Sequence, residues 1–95
     1  MGNFFDLKNK VAIITGSSRG IGKGIALRYS ELGAKIIVSS RRIDACEEVV
    51  KEIVDSGGTA SAYECNISNK DACESLIKFA KEKYGKLDVL VCTAA

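Results

Sequence analysis

Apolar positions along this chain follow two alternating rhythms. Short continuous runs, Lys10 to Thr15, Lys35 to Ser40, Thr59 to Cys65 and Leu87 to Cys92, have the length and density of buried strands. Between them lie longer stretches whose apolar residues recur every three or four positions, the period of an amphipathic helix. The first, Gly20 to Leu32, sets Ile21, Ile25 and Tyr29 on one face, and Gly33 closes it. A second, from about Asp44 to Asp55, buries Cys46, Val49, Val50 and Ile53 and ends at Gly57 and Gly58. In the third, Ala72, Leu76, Ala80 and Tyr84 repeat at spacing four and Gly85 stops the helix. Ser68 followed by Asp71 reads as its capping box, with aspartate in place of the usual Glu or Gln.

Strands alternating with helices predict an α/β chain with a parallel sheet, since each crossover returns the chain in the same direction. Four strands and three helices make up an incomplete doubly wound sheet. A sheet ending at the fourth strand has an apolar edge without a neighbour, so the expectation is a truncated domain or one completed by another chain.

Composition narrows the partners. The chain has 95 residues, is 46% hydrophobic and 27% charged, and carries a net charge of +2, so no strong field draws nucleic acid or an anionic membrane. No apolar run approaches the roughly 20 residues of a membrane span. Met1 to Asp6 lacks the basic and long apolar segments of a secretory signal, so a soluble, cytoplasmic protein is expected. Cys46, Cys65, Cys73 and Cys92 are widely spaced and the chain has no histidine, which argues against zinc and for reduced, buried thiols.

The chemistry lies between the first strand and the first helix, in Thr15-Gly16-Ser17-Ser18-Arg19-Gly20-Ile21-Gly22. Glycines at a strand-to-helix turn let the backbone come close to a phosphate, and the helix beyond supplies free N–H groups and the positive end of its dipole. A tight turn alone would also use glycines. The position inside a strand–loop–helix unit favours a dinucleotide, hence a Rossmann-type sheet. The phosphate loop of nucleoside triphosphatases fails, because Ser17 stands where its first glycine is required and Gly24 follows Lys23 in place of Ser or Thr.

These residues resemble the TGxxxGIG signature of the short-chain dehydrogenase/reductases. The likeness continues through Gly33-Ala34-Lys35, Asn66-Ile67-Ser68 and Leu87-Asp88-Val89-Leu90-Val91, so residues 1–95 are read as the N-terminal part of one dinucleotide-binding domain. The resemblance implies that Gly16, Gly20 and Gly22 line a pyrophosphate and that Ser17, Ser18 and Ile21 lie against the adenosine ribose and diphosphate. Asn66, which replaces the family's usual aspartate, would meet the adenine, and Ile67 and Ala94 belong to the same site. At the end of the second strand, where NAD-binding proteins carry an acidic residue, stands Ser40, followed by Arg41 and Arg42. With Arg19 these replace a carboxylate by guanidiniums suited to a 2′-phosphate, which favours NADP(H) over NAD(H), although an Arg-Arg pair on a loop is more often simply solvated.

Two departures stand out. Cys92-Thr93-Ala94-Ala95 replaces the family's Asn-Asn-Ala-Gly, and no tyrosine is followed four residues later by lysine: Tyr29, Tyr63 and Tyr84 are followed there by Gly33, Ile67 and Asp88. Tyr29 and Tyr84 read as helix-face packing residues. The resemblance thus implies the cofactor-holding part of an NADP(H)-dependent oxidoreductase acting on an alcohol or carbonyl and forming a homo-oligomer. Its catalytic residues are absent from this chain, so these 95 residues alone would be inactive. The rival reading is a naturally short, non-catalytic nucleotide-binding or interaction protein.

Overall fold

The computed structural model describes residues 7–93. Four strands, β1 (Val11–Thr15), β2 (Lys35–Ser40), β3 (Thr59–Glu64) and β4 (Val89–Cys92), alternate with α1 (Gly20–Glu31), α2 (Ile43–Asp55) and α3 (Lys70–Tyr84). All strand pairs are parallel and the order is β3-β2-β1-β4, the Rossmann-like arrangement in which the chain reverses direction across the sheet at β1.

The two central strands show why their sequences run apolar without alternation. In β1, Ala12 and Ile14 join Ala26 of α1 and Val49 and Ile53 of α2 on one face, whereas Ile13 joins Leu76 and Ala80 of α3 on the other. Every residue of β1 is buried, because helices cover both sides. Among the described residues β4 pairs only with β1, and its Leu90 stays 48% exposed.

At the N-terminal edge, Asp88 clamps β4 to β1. Its backbone N–H donates to the Val11 carbonyl at 2.9 Å, and its carboxylate accepts from the Val11 N–H at 2.9 Å. That second bond, then Lys86 and Lys10, hold the Asp88 carboxyl below the usual carboxylate range. A depressed folded-state pKa contributes stability above the unfolded value and loses it as pH falls through the folded one. Thermal melts of the native chain and Asp88→Asn should therefore differ most above about pH 5, draw together as pH falls past the ordinary aspartate value of about 4, and converge only below the lower folded-state value. A gap that stays constant down to pH 3 would show that the charge of Asp88 contributes nothing.

The sequence reading needs four local corrections. Asn69, not Ser68, caps α3: its side chain accepts the Ala72 N–H at 3.0 Å, while the Ser68 N–H and hydroxyl turn back to Asn66 Oδ1. Asn69→Ala should lower stability by about 1 kcal/mol in urea unfolding, and Ser68→Ala by much less. The buried face of α1 is Gly22 and Ala26, with Ile25 and Tyr29 only partly buried, and Ile21 is 80% exposed because the first turn overhangs the end of the sheet. Val50 of α2 is only half-buried. Cys46 and Cys65 are buried free thiols, but Cys73 is half-buried and Cys92 is exposed on the β4 edge. Tyr84 packs against the α3-side core, its hydroxyl 2.8 Å from Ser61 Oγ, and Tyr29 packs on the opposite side.

Candidate functional site

The C-terminal ends of all four strands meet around one cavity of about 550 Å³, within the range of small-molecule sites. Its floor is the glycine loop. Gly16 has φ +66°, a left-handed conformation that side chains disfavour, and a Cβ there would lie 2.5 Å from Thr93 Oγ1. A Cβ at Gly22 would strike the Gly16 carbonyl oxygen and stand 2.9 Å from Thr93 Oγ1. The Thr93 hydroxyl donates to the Thr15 carbonyl at 2.6 Å, so the end of β4 holds the loop after β1 from beneath. Thr93 therefore supplies a fixed polar contact where the resemblance placed an asparagine.

Gly16, Ser18, Arg19, Gly20, Ile21 and Gly22 all line the cavity. Ser17 does not. It is fully buried, its hydroxyl donating to the Ile14 carbonyl and accepting the Ser39 N–H at 3.1 Å, while its own N–H donates to the Ser39 carbonyl at 3.1 Å. Ser17 ties the β1 loop to β2 below the cavity and leaves no donor for a ligand.

Two helices begin at the cavity without a side-chain cap. The N-cap positions of α1 and α2 are Arg19 and Arg42, neither of which makes a capping hydrogen bond, and the first turn of α1 contains no acidic residue. The α3 N-terminus is different, capped by Asn69 and carrying Asp71. Free N–H donors at the start of α1 and the positive ends of two dipoles thus face the cavity. Arg19, Arg41 and Arg42 line it as well, and none of the three forms an ion pair among the described residues. No carboxylate lines it among the described residues.

Ser40 fixes the turn that presents Arg41 and Arg42. Its hydroxyl oxygen accepts the Arg42 N–H at 3.1 Å and lies 3.1 Å from Cys46 Sγ. Burial raises the Cys46 thiol above its ordinary range, so it stays protonated beside Ser40. Asn66 and Ile67 form the wall beyond β3. The Asn66 amide oxygen, expected to be open to an adenine amino group, instead accepts from the Ser68 N–H at 3.0 Å and hydroxyl at 2.6 Å; its lone pairs are committed to the turn, and the amide nitrogen is its remaining polar group. Ile67 is 51% exposed and, with Ile21, gives the cavity two exposed apolar side chains. Ala94 lies outside the described residues. The sequence reading missed Cys65, Ser68 and Thr93 as lining residues; position after β3 was the available signal for the first two and position after β4 for the third.

The model of the short chain dehydrogenase family matches residues 10–95. The chain belongs to that family. It is 44% identical over 88 residues to the 7alpha-hydroxysteroid dehydrogenase of Escherichia coli K12, covering 93% of this chain and 34% of that protein. Among solved structures, a 7 alpha-hydroxysteroid dehydrogenase complexed with NADH and 7-oxo glycochenodeoxycholic acid superposes with a TM-score of 0.90 at 42% identity, over 93% of this chain and 34% of that one. A metagenomic short-chain oxidoreductase in complex with NADP gives 0.85 at 36% identity, over 90% and 38%. The chain spans about a third of the length of the curated relatives it matches. Short-chain dehydrogenases bind nicotinamide cofactors, and these two complexes hold different ones, so the likeness alone leaves the choice of cofactor to the residues around Ser40.

Proposed function

We propose that this chain is the N-terminal, cofactor-holding part of an NADP(H)-dependent oxidoreductase acting on an alcohol/carbonyl pair. The observation that carries the reading is the set of three arginines free of ion pairs, Arg19, Arg41 and Arg42, around a cavity with no lining carboxylate among the described residues. A 2′-phosphate is a dianion, and guanidinium groups meet it with paired, charge-assisted hydrogen bonds. A carboxylate at Ser40 would favour the free ribose hydroxyl of NAD(H) instead.

The residues present fit the cofactor. Gly16, Gly20 and Gly22 would let the pyrophosphate approach the backbone, and the uncapped N–H groups of α1 would bind it. Ser18 and Ser40 are hydroxyls within the same lining, and Ile21 and Ile67 would shield the adenosine from water. Asn66 would offer its amide nitrogen to a base acceptor. When bound, the nicotinamide gives or takes the hydride. The family's tyrosine and lysine, which move the hydroxyl proton, have no counterpart in this chain, so these residues hold and orient and do not turn over substrate by themselves. The whole protein is read as a cytoplasmic homo-oligomer that engages a small alcohol or carbonyl and neither nucleic acid nor membrane; no helix of the described residues is long and apolar enough to cross a membrane.

A fluorescence titration with NADPH and NADH tests the reading. NADPH should bind more tightly. Equal or stronger binding of NADH would overturn the choice of cofactor, and binding of neither by a folded chain would overturn the nucleotide site.

A further inference from the structure

One pair of reactive groups, one in the cavity wall and one on α3, has no part in this scheme. Cys65 follows β3, is 2% exposed and lines the cavity. Cys73 lies in the first turn of α3, its N–H bonded to the Asn69 carbonyl at 3.1 Å. The two bracket Asn66 and Ile67. Cys73 packs against the α3-side cluster that contains Cys65, and its thiol donates to the carbonyl of Ile67, two residues beyond Cys65, at 3.4 Å. The other two cysteines are placed differently: Cys46 is sealed beneath Ser40 and Cys92 is exposed on β4.

We propose that Cys65, in the wall of the nucleotide cavity, and Cys73, packed against the same core cluster, are a reversible thiol–disulfide site. Cys73 is the more accessible thiol and reacts first with a small disulfide such as oxidised glutathione: its thiolate attacks one sulfur, and one glutathione thiolate leaves. Cys65 then attacks the Cys73 sulfur and expels the second. The two protein thiols lose two electrons and two protons, and oxidised glutathione gains them as two molecules of glutathione. Burial raises the Cys65 thiol above its usual range, so it is the resolving partner and not the first nucleophile.

Closure would turn the Cys73 sulfur away from the Ile67 carbonyl and join the start of α3 to the end of β3 across the Asn66 and Ile67 wall. If the nucleotide assignment holds, on which this consequence rests, the cross-linked form binds NADPH more weakly by severalfold, and dithiothreitol restores binding.

The test incubates the full chain with oxidised glutathione and maps its peptides without reduction, with NADPH titrations before oxidation, after it, and after reduction. The expected result is a peptide pair joined through Cys65 and Cys73, absent from Cys73→Ser and reversed by dithiothreitol. Glutathione on Cys92 serves as the internal sign that the oxidant worked. Glutathione on Cys92 with Cys65 and Cys73 both free, or Cys73 held as a stable mixed disulfide, would overturn the proposal. The link is read by mass whether or not nucleotide binds, so failure of the NADPH reading is seen separately, as a reduced chain that binds no nucleotide.

Discussion

Gly22→Ala should lower the stability of the chain by about 1–3 kcal/mol and remove nucleotide binding, whereas Gly24→Ala, two residues along the same helix, should raise stability by about 0.5–1 kcal/mol and leave binding intact. Helix propensity favours both substitutions equally, since alanine is better than glycine in a helix interior by about 1 kcal/mol. Packing separates them. A Cβ on Gly24 meets nothing within 4 Å. On Gly22 it collides with the Gly16 carbonyl oxygen and lies 2.8 Å from its carbonyl carbon, so backbone, not a yielding side-chain tip, must move. Gly16 cannot yield far, because Thr93 stands behind it and is itself bonded to the Thr15 carbonyl. The start of α1 must swing outward, taking the free N–H groups away from the cavity. Thermal melts with an NADPH titration read both effects; a Gly22→Ala chain as stable as the native one would show that the loop can relax and that Gly22 is not a close-packing requirement.

The architecture was legible because the periods are clean. The continuous apolar runs within β1 and β2 read as strands covered on both faces, and glycines at 33, 57 and 85 adopt the positive φ that ends each helix turn. The elements agreed to within a residue or two, the error being largest where two polar residues compete for one task. Ser68 and Asn69 both suit a cap, and a sequence pattern does not reveal that Ser68 is drawn back to Asn66. Periodicity also overstated burial at chain positions that project beyond the sheet, as at Ile21, and on an edge strand, as at Cys92.

The cavity was legible as a loop and not as an enclosure. The glycine spacing located its floor, and position after each strand located the basic rim. The sequence hid contacts between distant segments: Thr93 beneath Gly16 and Ser17 bonded to Ser39. Such contacts exist only once β1 lies between β2 and β4, and they reassign residues. Ser17 moves from ligand contact to strap, and the altered end of β4 becomes the support of the loop through a single hydroxyl.

The second large effect concerns the choice of cofactor. Arg41→Ala should weaken NADPH binding about tenfold or more and change NADH binding little, since hydrogen bonds to charged groups contribute about 1.5–3 kcal/mol and 1.4 kcal/mol is tenfold. The lower end is expected, because the arginines are exposed and salt screens them. Arg19 reaches the cavity from the neighbouring loop, so Arg19→Ala should act in the same direction and the double variant should bind the two cofactors alike. Adding Ser40→Asp to Arg41→Ala should reverse the preference, because a carboxylate at the end of β2 accepts the ribose hydroxyl and repels a phosphate. The preference of the native chain should also shrink as ionic strength rises. Arginine variants that weaken NADPH and NADH equally would mean that the guanidiniums act on the pyrophosphate common to both, and the 2′-phosphate assignment would fall while the glycine-loop site stood.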